Sequence, residues 1–122
     1  MRAQSPHAGW PAPPGRVSCT ASGSVVMITL SGEIDLLVND DLEAAMATAA
    51  AAQPADVAVD LAAVTFIGSQ ALSFLVRLHH LTADQSRLTT LHRVPKAVRK
   101  AMVTVGLDLV FALEEPPAGD GI

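Results

Sequence analysis

Apolar residues fall along this chain in two alternating rhythms, short runs with a period of two and longer stripes with helical spacing. Arg16–Thr20 and Ser24–Leu30 predict two strands joined by a turn at Ala21–Gly23. The second contains VVMITL, apolar enough to predict a central place in a sheet. Ser31–Gly32–Glu33 predicts a turn, and Asn39 or Asp40 a cap for the helix that follows, LEAAMATAAAA. In that segment Leu42, Ala45, Met46 and Ala49 share one helical face, and Gln53–Pro54 predicts its end. Val57–Leu61 then reads as a buried strand and Val64–Ile67 as a second short apolar piece. Polarity changes at Gly68–Ser69–Gln70, and Ala71–Leu81 predicts a helix with Leu72, Leu75, Val76 and His79 in its stripe, broadened by Phe74, Leu78 and Leu81. Ser69 is thus expected where a strand hands over to a helix, a place with unpaired N–H groups and the positive end of a helix dipole.

The remainder predicts a short strand at Arg87–Leu91 and a last helix starting near Pro95. Val98, Met102 and Val105 are expected on its buried face, with Gly106 as its C-terminal cap and Leu107–Leu113 as a final strand. Strands alternating with helices imply a mainly parallel sheet with right-handed crossovers, and the opening hairpin adds one antiparallel pair. The fold class expected is therefore α/β with a small mixed sheet. Met1–Gly15, rich in Pro, Gly and Ala, predicts a flexible arm that holds Trp10, the single tryptophan. Residues 16–113 form the domain, and 114–122, EEPPAGDGI, predict a disordered tail.

Composition narrows the core and the function. Half of the 122 residues are apolar but only 3% are aromatic and none is tyrosine, so the core must be aliphatic. A formal net charge of −4, with no basic patch beyond Lys96, Arg99 and Lys100, argues against nucleic-acid binding. The single cysteine, Cys19, excludes an intramolecular disulfide and reads as a small apolar strand residue. No apolar run reaches the length of a membrane span and the N-terminal segment lacks the apolar stretch of a signal peptide, so a cytoplasmic protein without membrane insertion is expected.

Catalytic chemistry finds no foothold. The glycines do not form a phosphate loop. His79 and His80 are adjacent and point to different helix faces, without a Cys or Glu at ligand spacing. Asp35, Asp40, Asp41 and Glu43 flank a helix N-terminus, where acids are favourable for dipole reasons alone. Ser69 has no His or Lys nearby in sequence to activate it. A protein that is not an enzyme and holds no metal or cofactor is expected, with Ser69 either as a helix-capping residue or as an acceptor of phosphate.

Three segments carry a family resemblance. VDLAAVTFIGSQAL, Val59–Leu72, is similar to the central segment of STAS domains of the anti-sigma factor antagonist type, where a strand ending in Asp-Leu is followed by Val-x-Phe-Ile/Met and Asp-Ser-Ser/Thr-Gly-Leu. LSGEIDLLVNDDL, Leu30–Leu42, resembles that family's Gly-Glu-Leu/Ile-Asp turn and the helix after it. VPKAVRKAMVTVGLDLVFAL, Val94–Leu113, resembles its C-terminal helix and last strand. The resemblance spans roughly Val17 to Leu113 and implies a small mixed sheet with helices packed mainly on one face.

It also implies a function: binding an anti-sigma factor that is a serine protein kinase, and so freeing a sigma factor; separately, a monomer or weak dimer is expected. Ser69 matches the serine that the kinase phosphorylates, and phosphorylation ends binding. Gly68, Gln70, Ala71, Asp35 and Asn39 are the partner-binding residues that follow from the match. The family's Asp and Gly around that serine are Gly68 and Ala71 here. Losing the acid removes a repulsion toward phosphate but also a contact for a kinase or phosphatase, and the Ala71 methyl is expected to hinder close backbone approach. Two other readings stay open beside the switch. One is a STAS subunit, not phosphorylated, of a signalling or lipid-transport complex. The other is a module sensing a nucleotide or lipid at the strand–helix junction.

Overall fold

A computed structural model describes residues 14–111. Strands β1 (Arg16–Ser22) and β2 (Val25–Ile34) form the expected hairpin, followed by a single 3-10 turn at Leu36–Val38 and helix α1 (Asn39–Ala51). Strand β3 (Asp56–Ile67), helix α2 (Ser69–Asp84), strand β4 (Thr89–His92) and helix α3 (Lys96–Thr104) complete the core, and a second 3-10 turn, Leu107–Leu109, ends it. The sheet order is β1-β2-β3-β4, with β1 antiparallel to β2 and the other pairs parallel. The α/β class, the mixed sheet and the central place of β2 are as expected.

One face of the sheet takes the helices. In β2, Val26, Ile28, Leu30 and Ile34 are buried in the core, while Val25 and Met27 on the other face stay partly exposed. Val57, Val59 and Leu61 of β3 join the core beside Leu42, Ala45 and Ala49 of α1. Ala58 is buried without belonging to that cluster, because its methyl lies on the opposite face between neighbouring strands. The core is aliphatic, with Phe74 its largest fully buried side chain.

Four local expectations give way to tertiary context. Ser31–Gly32–Glu33 is not a turn: the segment keeps pairing with β3 through register shifts, and Gly32, at φ +75°, absorbs the irregularity. The two apolar pieces around Ala62–Ala63 are likewise one strand, with Asp60 Oδ1 accepting the Ala62 N–H at 3.0 Å. Arg87 precedes β4 instead of opening it. It lies buried, its guanidinium donating to the Ala49 carbonyl at 2.8 Å, to Gln85 Oε1 at 2.5 Å and to the Ala55 carbonyl. Leu107–Leu113 is not a strand over its described part. Gly106, at φ +81°, closes α3 and throws the chain into a 3-10 turn from which Leu107 and Phe111, four apart, reach the core.

The stripes shift by smaller amounts. Helix α2 buries Ala71, Phe74, Leu75, Leu78 and Thr82, leaving Leu72, Val76 and Leu81 at the flanks. His79 packs edge-on against the Phe111 ring, with centroids 5.5 Å apart. In α3 Val98 and Met102 are buried, but Val105 sits past the last turn and is exposed. Residues 1–13 and 112–122 lie outside the described residues, and with them nearly all of the arm expected at 1–15, the tail expected at 114–122, and Ala112 and Leu113.

Candidate functional site

The C-terminal ends of β2 and β3 lie side by side and supply the candidate site. At the end of β3 the Gly68 N–H bonds the Ile34 carbonyl at 2.8 Å, which ties the two strand ends together. Gly68 is extended and occupies the N-cap position of α2, and its carbonyl accepts from the Ala71 and Leu72 N–H groups, both at 3.1 Å. Ser69 is therefore the first helical residue, with its side chain exposed. Its N–H and that of Gln70 precede the first acceptor that the helix can offer, so they face outward with the positive end of the dipole.

Beside it, Asp35 directly follows β2. Its Oδ1 accepts the Leu37 N–H at 3.0 Å and its carbonyl the Val38 N–H at 3.2 Å. The carboxylate thus holds the 3-10 turn. Neither Asn39 nor Asp40 is the cap expected for α1: the N-cap position falls on Val38, and Asn39, Asp40 and Asp41 form the first turn. The 3-10 turn takes up the residues that a helix start at Leu42 would have left as loop.

Asn39, Ser69, Gln70, Ser73 and Arg77 line a shallow groove of about 200 Å³ between the starts of α1 and α2. Arg77 spans the two helices and donates to both carboxylate oxygens of Glu43, at 2.5 and 2.9 Å. The guanidinium holds the Glu43 carboxyl below its ordinary range, and Glu43 raises Arg77 in return. Both groups are half exposed, so this pair orients the groove wall more than it stabilises the fold. Apolar side chains on the segments leading into α1 and α2 are also exposed: Leu36 is 64% exposed, Leu37 90% and Phe66 52%.

The structure gathers three of the residues expected at the site, Asn39, Ser69 and Gln70, around one groove. It gives the others different duties. Asp35 braces the turn. Gly68 contributes backbone, and a side chain there would meet only ordinary contacts, the nearest being the Ile34 carbonyl oxygen at 3.4 Å and Phe66 at 3.5 Å. The Ala71 methyl is fully buried in the core, so it does not hinder approach to the groove as the sequence led us to expect. Sequence reasoning passed over Ser73 and Arg77, although their i+4 and i+8 spacing from Ser69 places all three on one helix face. It also passed over Leu36, Leu37 and Phe66, which the structure leaves exposed.

Cys19 lies apart, half-buried on β1 in a smaller groove of about 140 Å³ with Val17, Asp41, Ala44, Ala45 and Thr48. Burial raises its thiol pKa, with a Thr48 hydrogen bond partly offsetting the rise. Among the described residues no three His, Cys, Asp or Glu side chains converge as metal ligands, and no helix is long and apolar enough to cross a membrane.

Comparison with known proteins agrees with this architecture. Residues 17–113 match the family described as "Mlab, STAS domain". The anti-sigma-F factor antagonist RsfB of Mycobacterium tuberculosis is 29% identical over 97 residues, covering 80% of this chain and 79% of that protein. An anti-sigma factor antagonist from Mycobacterium paratuberculosis, solved by crystallography, superposes with a TM-score of 0.70 at 27% identity, over 88% of this chain and 89% of the other. The unphosphorylated form of the anti-sigma factor antagonist SpoIIAA superposes with a TM-score of 0.68 at 17% identity, over 84% and 89% of the two chains, a likeness of fold.

Proposed function

The chain belongs to the STAS domain family, and on that premise we propose that it is an anti-sigma factor antagonist: a binding protein that captures an anti-sigma factor and so releases a sigma factor. The observation that carries the reading is the corner just described. Ser69 stands exposed as the first residue of α2, in a groove with Asn39, Gln70, Ser73 and Arg77, beside exposed Leu36, Leu37 and Phe66. Apolar side chains framed by polar ones are what a protein partner buries. The named relatives add support, since both mycobacterial proteins carry that function in their names.

The finer reading is a switch. The partner is a serine protein kinase, Ser69 is its phosphoacceptor, and the phosphorylated form lets go. A phosphate on Ser69 is favourable at this position in the free protein, where outward N–H groups and the helix dipole receive it. In a complex the same charge of about −2 would be pressed against a partner over Leu36, Leu37 and Phe66, and desolvation would expel it. Gly68 in place of the family's Asp leaves the groove less acidic, which favours the phosphate further. On this reading the protein acts in the cytoplasm, without cofactor.

Titration calorimetry with the cognate anti-sigma factor tests it. Ser69→Ala should bind like the native protein, and Ser69→Asp should lose binding by about a hundredfold or more, equivalent to roughly 2.7 kcal/mol. Equal affinity for Ser69→Asp rules out the switch. Incubation with partner and ATP should add about 80 Da at Ser69, the mass of one phosphoryl group. Tight binding without that addition points to the second reading, a STAS subunit that works unphosphorylated. Gly68 also removes the acid that would serve as a contact for a kinase or phosphatase, and that loss favours the alternative.

A further inference from the structure

On one side the sheet ends in a long edge with no guard among the described residues. β1 is the outer strand of the order β1-β2-β3-β4, and its seven residues, RVSCTAS, hold no proline and no charge beyond Arg16. It pairs with β2 in unbroken register. Edge strands are normally blunted by brevity, charge, proline or a bulge, since their free backbone groups invite another strand. The opposite edge is blunted in this way: β4 has only four residues, and Arg93, at φ +54°, turns the chain away at its end.

The hairpin shows which backbone groups of β1 are free. Ser22 pairs with Val25 across the two-residue loop Gly23–Ser24, with Gly23 at φ +61°. In such a hairpin the residues flanking the loop exchange both backbone hydrogen bonds, and the exchange recurs at every second pair. Ser22, Thr20, Ser18 and Arg16 therefore turn their N–H and C=O groups to β2, and Ala21, Cys19 and Val17 turn theirs to the free edge. Those three are centred on Cys19. The side chains are nearly symmetric about the same residue, with the hydroxyls of Ser18 and Thr20 on either side of it and apolar Val17 and Ala21 beyond them.

We infer that β1 is a self-association edge, on which a second copy of this chain pairs antiparallel about a two-fold axis at Cys19. Cys19 then meets the same residue of the second copy, and Val17 meets Ala21 on both sides of the axis. Each of these pairs exchanges two backbone hydrogen bonds, so every outward N–H and C=O of Val17, Cys19 and Ala21 is satisfied. Ser18 falls opposite Thr20 and Arg16 opposite Ser22, so no like charges meet. The two four-stranded sheets become one of eight strands. The partner is a second copy because backbone groups and side chains share one centre of symmetry, which a foreign strand has no reason to match. A strand edge without a large apolar patch makes the dimer a weak one. The contact uses none of the residues around Ser69 and does not depend on the proposed antagonist function.

Sedimentation velocity of the full chain over a concentration series tests it. The expected result is a monomer at low micromolar concentration and a dimer at high micromolar concentration. Ala21→Pro removes an outward N–H and sets a ring at the edge without touching a bond to β2, and should abolish the dimer while the circular dichroism of the native chain is kept. A pair of charges reads the register. Ser18→Lys with Thr20→Lys sets like charges opposite each other twice and should abolish the dimer, although it brings the net charge closer to zero. Ser18→Glu with Thr20→Lys sets opposite charges at the same places and should tighten the dimer several-fold. Diamide, which takes up the two protons and two electrons that a pair of thiols gives up, should join the native chains through Cys19 where they dimerise, and should leave Ala21→Pro unlinked. The Cα separation of a hydrogen-bonded antiparallel pair, about 5.5 Å, suits such a bond. A monomer at every concentration overturns the inference. So does a dimer that is indifferent to both charge variants, which would place the contact elsewhere on the molecule.

Discussion

The two ends of the sheet are built on opposite principles. At the end where β3 begins, polar groups are buried and matched. Arg87 donates to two backbone carbonyls and a glutamine, and Thr82 and Thr89 share a hydroxyl hydrogen bond at 2.7 Å. At the end where β3 finishes, the first N–H groups of α2 point outward, and leucines and a phenylalanine stand in solvent. Satisfied polar groups lock a structure, because undoing them strands donors and acceptors away from water. Unsatisfied donors and bare apolar surface cost stability in the free protein and return it on binding. The fold keeps its rigidity at one end and its capacity for interaction at the other.

Substitutions at each end should therefore separate stability from binding. The largest effect is expected at Arg87. Arg87→Met keeps bulk in the site but removes the guanidinium donor from the Ala55 carbonyl and one of the donors from the Ala49 carbonyl, and should lower unfolding free energy by about 2–4 kcal/mol in urea titration. Partner affinity of the folded protein should stay within twofold; a parallel loss of affinity would mean that the two ends are coupled and would break the contrast. Asp35→Ala comes next. It removes the acceptor that holds the Leu36–Val38 turn and should cost about 1 kcal/mol, comparable to other helix caps, while weakening partner binding more than its stability loss accounts for. Asp35→Asn, which keeps an acceptor oxygen, should recover most of both.

Gly68→Asp is expected to act in the other direction and by less. The position has room for a side chain and is the uncapped N-cap of α2, so an acid there should add a few tenths of a kcal/mol. Thermal melts will show whether it does, and a loss instead would indicate repulsion from Asp35, whose Cα lies 3.7 Å from the new Cβ.

The smallest effect is a pH dependence at Asp60, between the two ends. Its hydrogen bond to Arg93 holds its carboxyl below the ordinary value, with a second contribution from the Ala62 N–H. A depressed folded-state pKa stabilises the fold above the unfolded value of about 3.9, and that stabilisation disappears as pH falls through the folded value. Asp60→Asn should thus be slightly less stable than the native chain at pH 7, and the gap should close in acid below pH about 4. A gap that persists undiminished in acid would assign the loss to packing and not to charge.

Legibility in the sequence followed the range of the interactions. The strand–helix alternation, the hairpin, the stripe of α1 and the place of Ser69 at the head of α2 rest on periodicities of neighbouring residues, and all were readable. Gly106 as a helix terminator was readable too, because a left-handed residue is a local requirement. Readings that failed involve partners distant along the chain. Ser31–Gly32–Glu33 has turn chemistry, yet pairing with β3 extends it as a strand. Leu107–Leu113 has strand chemistry, yet its described part has no place in the sheet and anchors through Leu107 and Phe111. Arg87 gave no sign of burial, since its acceptors lie 32 and 38 residues away.

The same division runs through the site. Residue order alone placed a serine at a strand-to-helix junction and, through three motifs in series, pointed to the STAS family, because turn signals, helix caps and apolar periods are local chemistry. Which side chains share the groove with Ser69 was settled by packing. The pairing of β2 with β3 brings Asn39 to Ser69, the turn of α2 sends Ala71 inward and Arg77 across to Glu43, and the hydrogen bond of Asp35 turns Leu36 and Leu37 out to solvent. An apolar residue reads the same in sequence whether it faces the core or a partner, and only the arrangement of the surrounding elements distinguishes the two.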